Sequence, residues 1–325
     1  MLTYIKPVES WSVMFENLVL SFQIVSPLFI LIGLGQLLHK MNFFSLSTLN
    51  QINDAAFTIF LPAHLFISIY QSDLETVVNI RVMMFVIISL FLLFFFSIII
   101  TPLFEKDNRK KGVIIQGIIR SNFVIMGFPI MAAIYSPAET ALCALILAVS
   151  MPIYSPMQVI ALEMYRHSKA NIPSIMLNIA KNPLILATLA GIFFLILDIP
   201  LAPLIEKSVS DIGRLGTPLA LIVLGGTLKF DSLKDNAFSL TIVILLKLLI
   251  IPMIAIAVAV WLGFNQIEVT ALMIFFAAPT AVTTYAMALK LDGDAPLAQQ
   301  IVILTTLLSM ISLVMWITVV KTIFT

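Results

Sequence analysis

The chain has 325 residues; 61% are hydrophobic, 11% are charged, and the formal net charge is +1. Soluble proteins are about a quarter charged. These figures exclude a disordered chain, an ordinary soluble enzyme and, with Cys143 as the one cysteine, a disulfide scaffold, and they give no electrostatic case for a nucleic-acid partner.

A membrane-spanning helix needs about 20 apolar residues. Residues 1–16 read as an N-terminal extracytoplasmic segment, whose Tyr4, Trp11 and Phe15 suit the membrane interface; Met14 is an alternative start. Ten apolar spans follow, at about 17–38, 49–70, 80–104, 111–135, 138–165, 182–198, 203–228, 238–262, 266–289 and 295–320. Charged loops at 105–111, 167–181 and 229–236 separate several of them. Ser136-Pro137-Ala138-Glu139 parts the fourth from the fifth. Lys and Arg concentrate in the odd-numbered loops, above all Lys106, Arg109, Lys110 and Lys111. That excess places the odd loops in the cytoplasm and both termini outside.

The two halves share landmarks. Pro27 and Gly35 in the first span match Pro183 and Gly191 in the sixth, eight residues apart in both. Asp54 and Pro62 in the second match Asp211 and Pro218 in the seventh, and Ser150-Met151 in the fifth match Ser309-Met310 in the tenth. The predicted fold is therefore all-α, with ten transmembrane helices in two five-helix inverted repeats. The first repeat is 17–167, the cytoplasmic loop is 168–181 and the second repeat is 182–325. An odd number of spans per repeat inverts the second half, an arrangement frequent among secondary transporters.

Interrupted spans at matching positions point to a transport site. The fourth span carries Gly127 and Pro129, and its mate, the ninth, carries Pro279. Proline removes a backbone donor and clashes with the preceding turn, so breaks are predicted at Gly127-Pro129 and at Pro279-Thr280. Each break frees amides at a half-helix N-terminus, which suits an anion such as a carboxylate. Asn122, Thr280, Thr283 and Thr284 would face the same cavity, with Ser121 and Tyr285 beside them. Arg120 has three readings: a partner for a substrate carboxylate, a partner for a protein carboxylate, or a side chain snorkelling to the cytoplasmic surface. Asp54 is either solvated or a site of H+ or Na+ coupling. Lys247, in mid-span, reads as half of a structural ion pair before a substrate contact. His64 reads as a helix-contact residue before a titrating one.

No phosphate-binding Gly-x-x-x-x-Gly-Lys loop, His-Glu-x-x-His or Gly-x-Ser-x-Gly occurs. No nucleophile–base pair is visible, so the expectation is a protein that is not an enzyme and uses no cofactor or metal.

The sequence resembles the auxin efflux carrier family of bacteria and plants. The resemblance rests on Pro27-Leu28-Phe29, Leu61-Pro62, Arg120-Ser121-Asn122 with Gly127-Phe128-Pro129, and Asn182-Pro183-Leu184. It continues through Thr217-Pro218-Leu219, Gly225-Gly226, Lys247-Leu248 with Pro252, Pro279-Thr280-Ala281 and Thr305-Thr306-Leu307. The short stretch between spans five and six points to the bacterial, malate or malonate permease-like type. The resemblance implies crossing broken helices four and nine, and a scaffold of spans one, two, six and seven through which two copies dimerise. The remaining spans would move as an elevator, carrying a small organic anion: malate or malonate in bacteria, auxin in plants. The alternatives are a sodium-coupled carrier like the bile-acid symporters and a membrane sensor that binds without transporting.

Overall fold

The computed structural model describes residues 7–71, 79–165, 181, 183–227 and 236–324. The expected cytoplasmic loop 168–181 lies outside the described residues except for Lys181, as do Asn182, residues 1–6 and most of 229–236. All named elements among the described residues are helices.

Helix α1 (Pro7–Lys40) is continuous, with its apolar span from Phe15 onward. Helices α2 (Leu46–Ala55) and α3 (Leu61–Tyr70) join through a π-helical turn, Ala56–Phe60. Ser45 caps α2 by accepting from the Thr48 amide at 3.1 Å. Then come α4 (Ile80–Phe104), α5 (Asn108–Ile119), α6 (Phe123–Ile134) and α7 (Pro137–Glu163). The stop between the fourth and fifth spans is a capping box, Ser136 with Glu139, at the start of α7. Helices α8 (Pro183–Ile196), α9 (Pro203–Arg214) and α10 (Gly216–Thr227) follow. Helices α11 (Ala237–Leu245) and α12 (Ile251–Trp261) are joined by a second π-helical turn, Leu246–Ile250, ahead of Pro252. The chain ends with α13 (Gln266–Ala277), α14 (Thr283–Lys290) and α15 (Ala295–Phe324).

Among the described residues, six helical stretches are long and apolar enough to cross a bilayer: Phe15–Lys40, Ile80–Phe104, Ala138–Glu163, Pro203–Thr227, Ala237–Trp261 and Ala295–Phe324. They make the chain an integral membrane protein. The other four expected spans fall short for physical reasons. The second begins with the polar run Ser47-Thr48-Leu49-Asn50-Gln51. The sixth has only the 14 residues of α8 among those described. The fourth and ninth are each cut into two short helices.

Glycines set how closely the helices approach. A Cβ on Gly35 of α1 would overlap the Ile222 carbonyl of α10, and one on Gly225 of α10 would overlap the Ile32 carbonyl of α1. Gly191 of α8 meets Ile69 and the Phe66 carbonyl of α3, and Gly213 of α9 meets the His64 backbone. Helices α1, α3, α8, α9 and α10 thus pack backbone to backbone as one panel. The Pro27–Gly35 spacing continues to Asn42 (φ 57°), and the Pro183–Gly191 spacing continues to Asp198 (φ 49°). In both places a residue in the left-handed region, which Asn and Asp tolerate, ends the span seven residues after the packing glycine.

Candidate functional site: the crossing of two broken helices

Helix α5 ends at Ile119, and α6 starts at Phe123. Helix α13 ends at Ala277, and α14 starts at Thr283. The two interruptions touch. Ser121 and Thr280 form an antiparallel bridge, and the Asn122 amide donates to the Pro279 carbonyl at 2.8 Å. Each broken helix thereby satisfies backbone groups of the other, as irregular backbone in a bilayer requires. The Thr280 hydroxyl donates to the Gly117 carbonyl at 2.7 Å, and the Thr280 amide donates to Thr305 Oγ1 at 3.1 Å. Residues 112–128 and 269–281 are buried throughout.

The second break lies at Pro279 as predicted; the first does not lie at Gly127-Pro129. Both residues sit within α6, five or more residues past the break. Arg120 and Asn122 leave helical geometry because Asn122 pairs with Pro279 across the crossing, and a long-range partner of this kind leaves no local signal. Gly127 instead leaves room for the Phe123 ring, which a Cβ there would strike.

A cavity of about 680 Å³ lies between the crossing and the panel. Arg120, Ser121, Asn122 and Thr283 line it on the crossing side. Phe57, Leu184, Ala220, Val223 and Leu224 form the facing apolar wall. It runs toward Asn50, Gln158 and Gln299, the end of the bundle that also holds loop 105–111. Val124 and Ile125 in the first turn of α6, and Val282 and Thr283 at the start of α14, also line it, so two helix N-termini meet the cavity. No Asp or Glu does.

Arg120 is 8% exposed. Its guanidinium carbon lies 4.7 Å from the centre of the Tyr154 ring, and Nη1 and Nη2 each lie 3.5 Å from Met151 Sδ. Its Nε finds no partner in the described protein. Arg120 does not snorkel to the surface, and no described carboxylate pairs with it; its place at the C-terminus of α5 gives partial compensation. Lys247, in the second π-helical turn, is 1% exposed. It has no ion pair among the described residues, contrary to the expected structural pair.

Of the other residues singled out from sequence, Asn122 is 5% exposed with Nδ2 unpartnered, and Ser121 Oγ is likewise unpartnered. Pro279 and Thr280 shape the crossing, whereas Gly127 and Pro129 lie within α6; none of the four lines the cavity. Asp54 is exposed and lies off it. His64 meets the Phe128 ring edge-on at 5.2 Å, joining the panel to α6. Sequence reasoning missed Tyr154, Asn50 and Asn53. Tyr154 lies one helical turn beyond the repeated Ser150-Met151 pair, the one signal that could have marked it.

Bilayer-length apolar helices, with two broken ones crossing over a cavity, are the build of a membrane transport protein. A family model described as membrane transport protein matches residues 20–317. The chain belongs to that family, the auxin efflux carrier family. It is also 22% identical over 300 residues to an uncharacterized transporter of Methanothermobacter thermautotrophicus, covering 91% of this chain and 97% of that protein. The protein is an integral membrane transporter of the permease type.

Proposed function

We propose that the protein is a secondary transporter of a small organic anion, a mono- or dicarboxylate or an auxin-like acid, working by elevator-type alternating access. One observation carries this reading: the cavity holds a buried arginine and two helix N-termini but, among the described residues, no carboxylate. A buried cation without a counter-charge is costly, and an anion in the cavity offsets that cost. In this reading Arg120 and Asn122 bind the substrate's polar end, with Ser121 and Thr283 beside them, and Pro279 and Thr280 hold the crossing in shape. The apolar wall covers the rest of the substrate.

The architecture proposed is ten spans in two inverted repeats. Its support is the shared Pro–Gly–Asn/Asp spacing, the paired contacts of Gly35 with α10 and Gly191 with α3, and the mutual pairing of the two breaks. The panel would be the scaffold, and the crossing with α4, α7, α11, α12 and α15 the moving part. With loop 105–111 in the cytoplasm of a bacterial inner-membrane protein, and both termini outside, the cavity faces inward. The proposed homodimer would form on the second and seventh spans.

The test is uptake of labelled malonate, malate and indole-3-acetate into proteoliposomes under an imposed pH or sodium gradient. Saturable uptake of one acid is expected, and its gradient dependence names H+ or Na+ as the coupling ion. Asn122→Ala, which removes neutral hydrogen bonds only, lowers it roughly fivefold. Binding of these acids without uptake would favour a sensor.

A further inference from the structure

We propose that Tyr154, together with Met151, is a positioning residue that sets anion affinity by holding Arg120 in place without neutralising it. The inference rests on the anion reading above. A protein carboxylate would fix a buried arginine, but it would also compete with an incoming carboxylate for the same donors. Here the fixing is done by a ring face and a thioether. The ring attracts the guanidinium through its quadrupole and leaves the full positive charge to act on the cavity. The sulfur is a weak acceptor.

The geometry supports a built clamp. Met151 and Tyr154 are three residues apart on α7, so they share a face. Tyr154 is 2% exposed. Its ring stacks on Phe275 at 5.9 Å and 27°, and Phe275 is held edge-on by Phe123 at 5.3 Å and by Phe276 at 4.9 Å. The contacts continue from Phe276 to Phe85 (6.4 Å) and from Phe85 to Phe264 (5.5 Å), where the Arg81 guanidinium covers the last ring at 4.5 Å. A line of rings from α7, α13 and α4 thus backs the clamp and keeps Tyr154 from swinging away. Arg120 has no stronger tether among the described residues.

The test compares the half-saturation concentration and maximal rate for malonate, malate and indole-3-acetate in proteoliposomes. Tyr154→Leu is expected to raise the half-saturation concentration roughly 30-fold, the factor a desolvated cation–π contact supports, while keeping the maximal rate within about twofold. Tyr154→Phe keeps the ring and recovers most of the affinity. Unchanged half-saturation in Tyr154→Leu, with Arg120→Gln inactive, overturns the clamp and leaves the anion reading standing. Equal losses in the Leu and Phe variants also overturn it. Normal transport by Arg120→Gln overturns both. A second measurement needs no substrate: phenylglyoxal modification of Arg120 in the purified full chain, read by mass spectrometry. Arg120 should react several-fold faster in Tyr154→Leu than in the native protein or Tyr154→Phe; an unchanged rate in Tyr154→Leu contradicts the clamp.

Discussion

Arg120→Gln is expected to lower saturable anion uptake roughly 100-fold while leaving the protein at least as heat-stable as the native chain. The two halves of this result have one cause. The guanidinium is buried, its Nε lacks a partner, and no described carboxylate compensates it. Its desolvation opposes folding, and glutamine removes that cost. The same charge is what a substrate carboxylate would pair with, so its removal abolishes tight binding. Arg120→Lys keeps the charge but loses the planar fork and the stacking on Tyr154, and should retain an intermediate rate. The check is uptake in proteoliposomes alongside a melting curve in detergent. Unaltered uptake, or a large drop in melting temperature, would mean that Arg120 is a structural residue.

The second large effect concerns the panel. Gly225→Leu should lower the melting temperature by roughly 10 °C or prevent folding, since its side chain would have to occupy the space of the Ile32 backbone. Gly35→Leu acts on the same seam from the other helix, against Ile222. Backbone cannot move aside as a flexible side chain can, so helices α1 and α10 would have to part. Gly33→Ala is the internal control: two residues from Gly35 on α1, a Cβ there meets nothing within 4 Å. It should leave the melting temperature unchanged or slightly raised, because alanine favours helix over glycine. Equal losses at Gly33 and Gly225 would show that the close approach of α1 and α10 is not what Gly225→Leu disturbs.

Much of this was legible in the sequence because lipid imposes simple rules. Apolar length marked the spans at 17–38, 80–104 and 295–320, and charged loops marked their ends. The Ser136–Glu139 stop was visible because a capping box is local. The matched Pro and Gly positions suggested a repeat; that Gly35 and Gly191 sit at close backbone approaches is visible only in the fold. Proline, however, does not by itself break a helix when neighbours satisfy the freed carbonyls. Pro27, Pro102, Pro129, Pro152 and Pro156 all lie inside helices, whereas Pro279 lies at a break. What distinguishes the first break is the bond from Asn122 to Pro279, across more than 150 residues of chain. Tyr154 was illegible for a related reason: an aromatic residue in an apolar span reads as packing until its ring is seen beneath a guanidinium.

The most direct test of alternating access is whether the crossing meets both sides of the membrane. Thr283 lines the cavity and is exposed. In a Cys143→Ala background, Thr283→Cys supplies a single thiol for a membrane-impermeant charged thiol reagent applied to either face of oriented vesicles. Alternating access predicts modification from both faces, slowed on both by the transported acid. Modification from the cytoplasmic face alone, at any exposure time, would contradict it and leave a fixed, one-sided binding cavity.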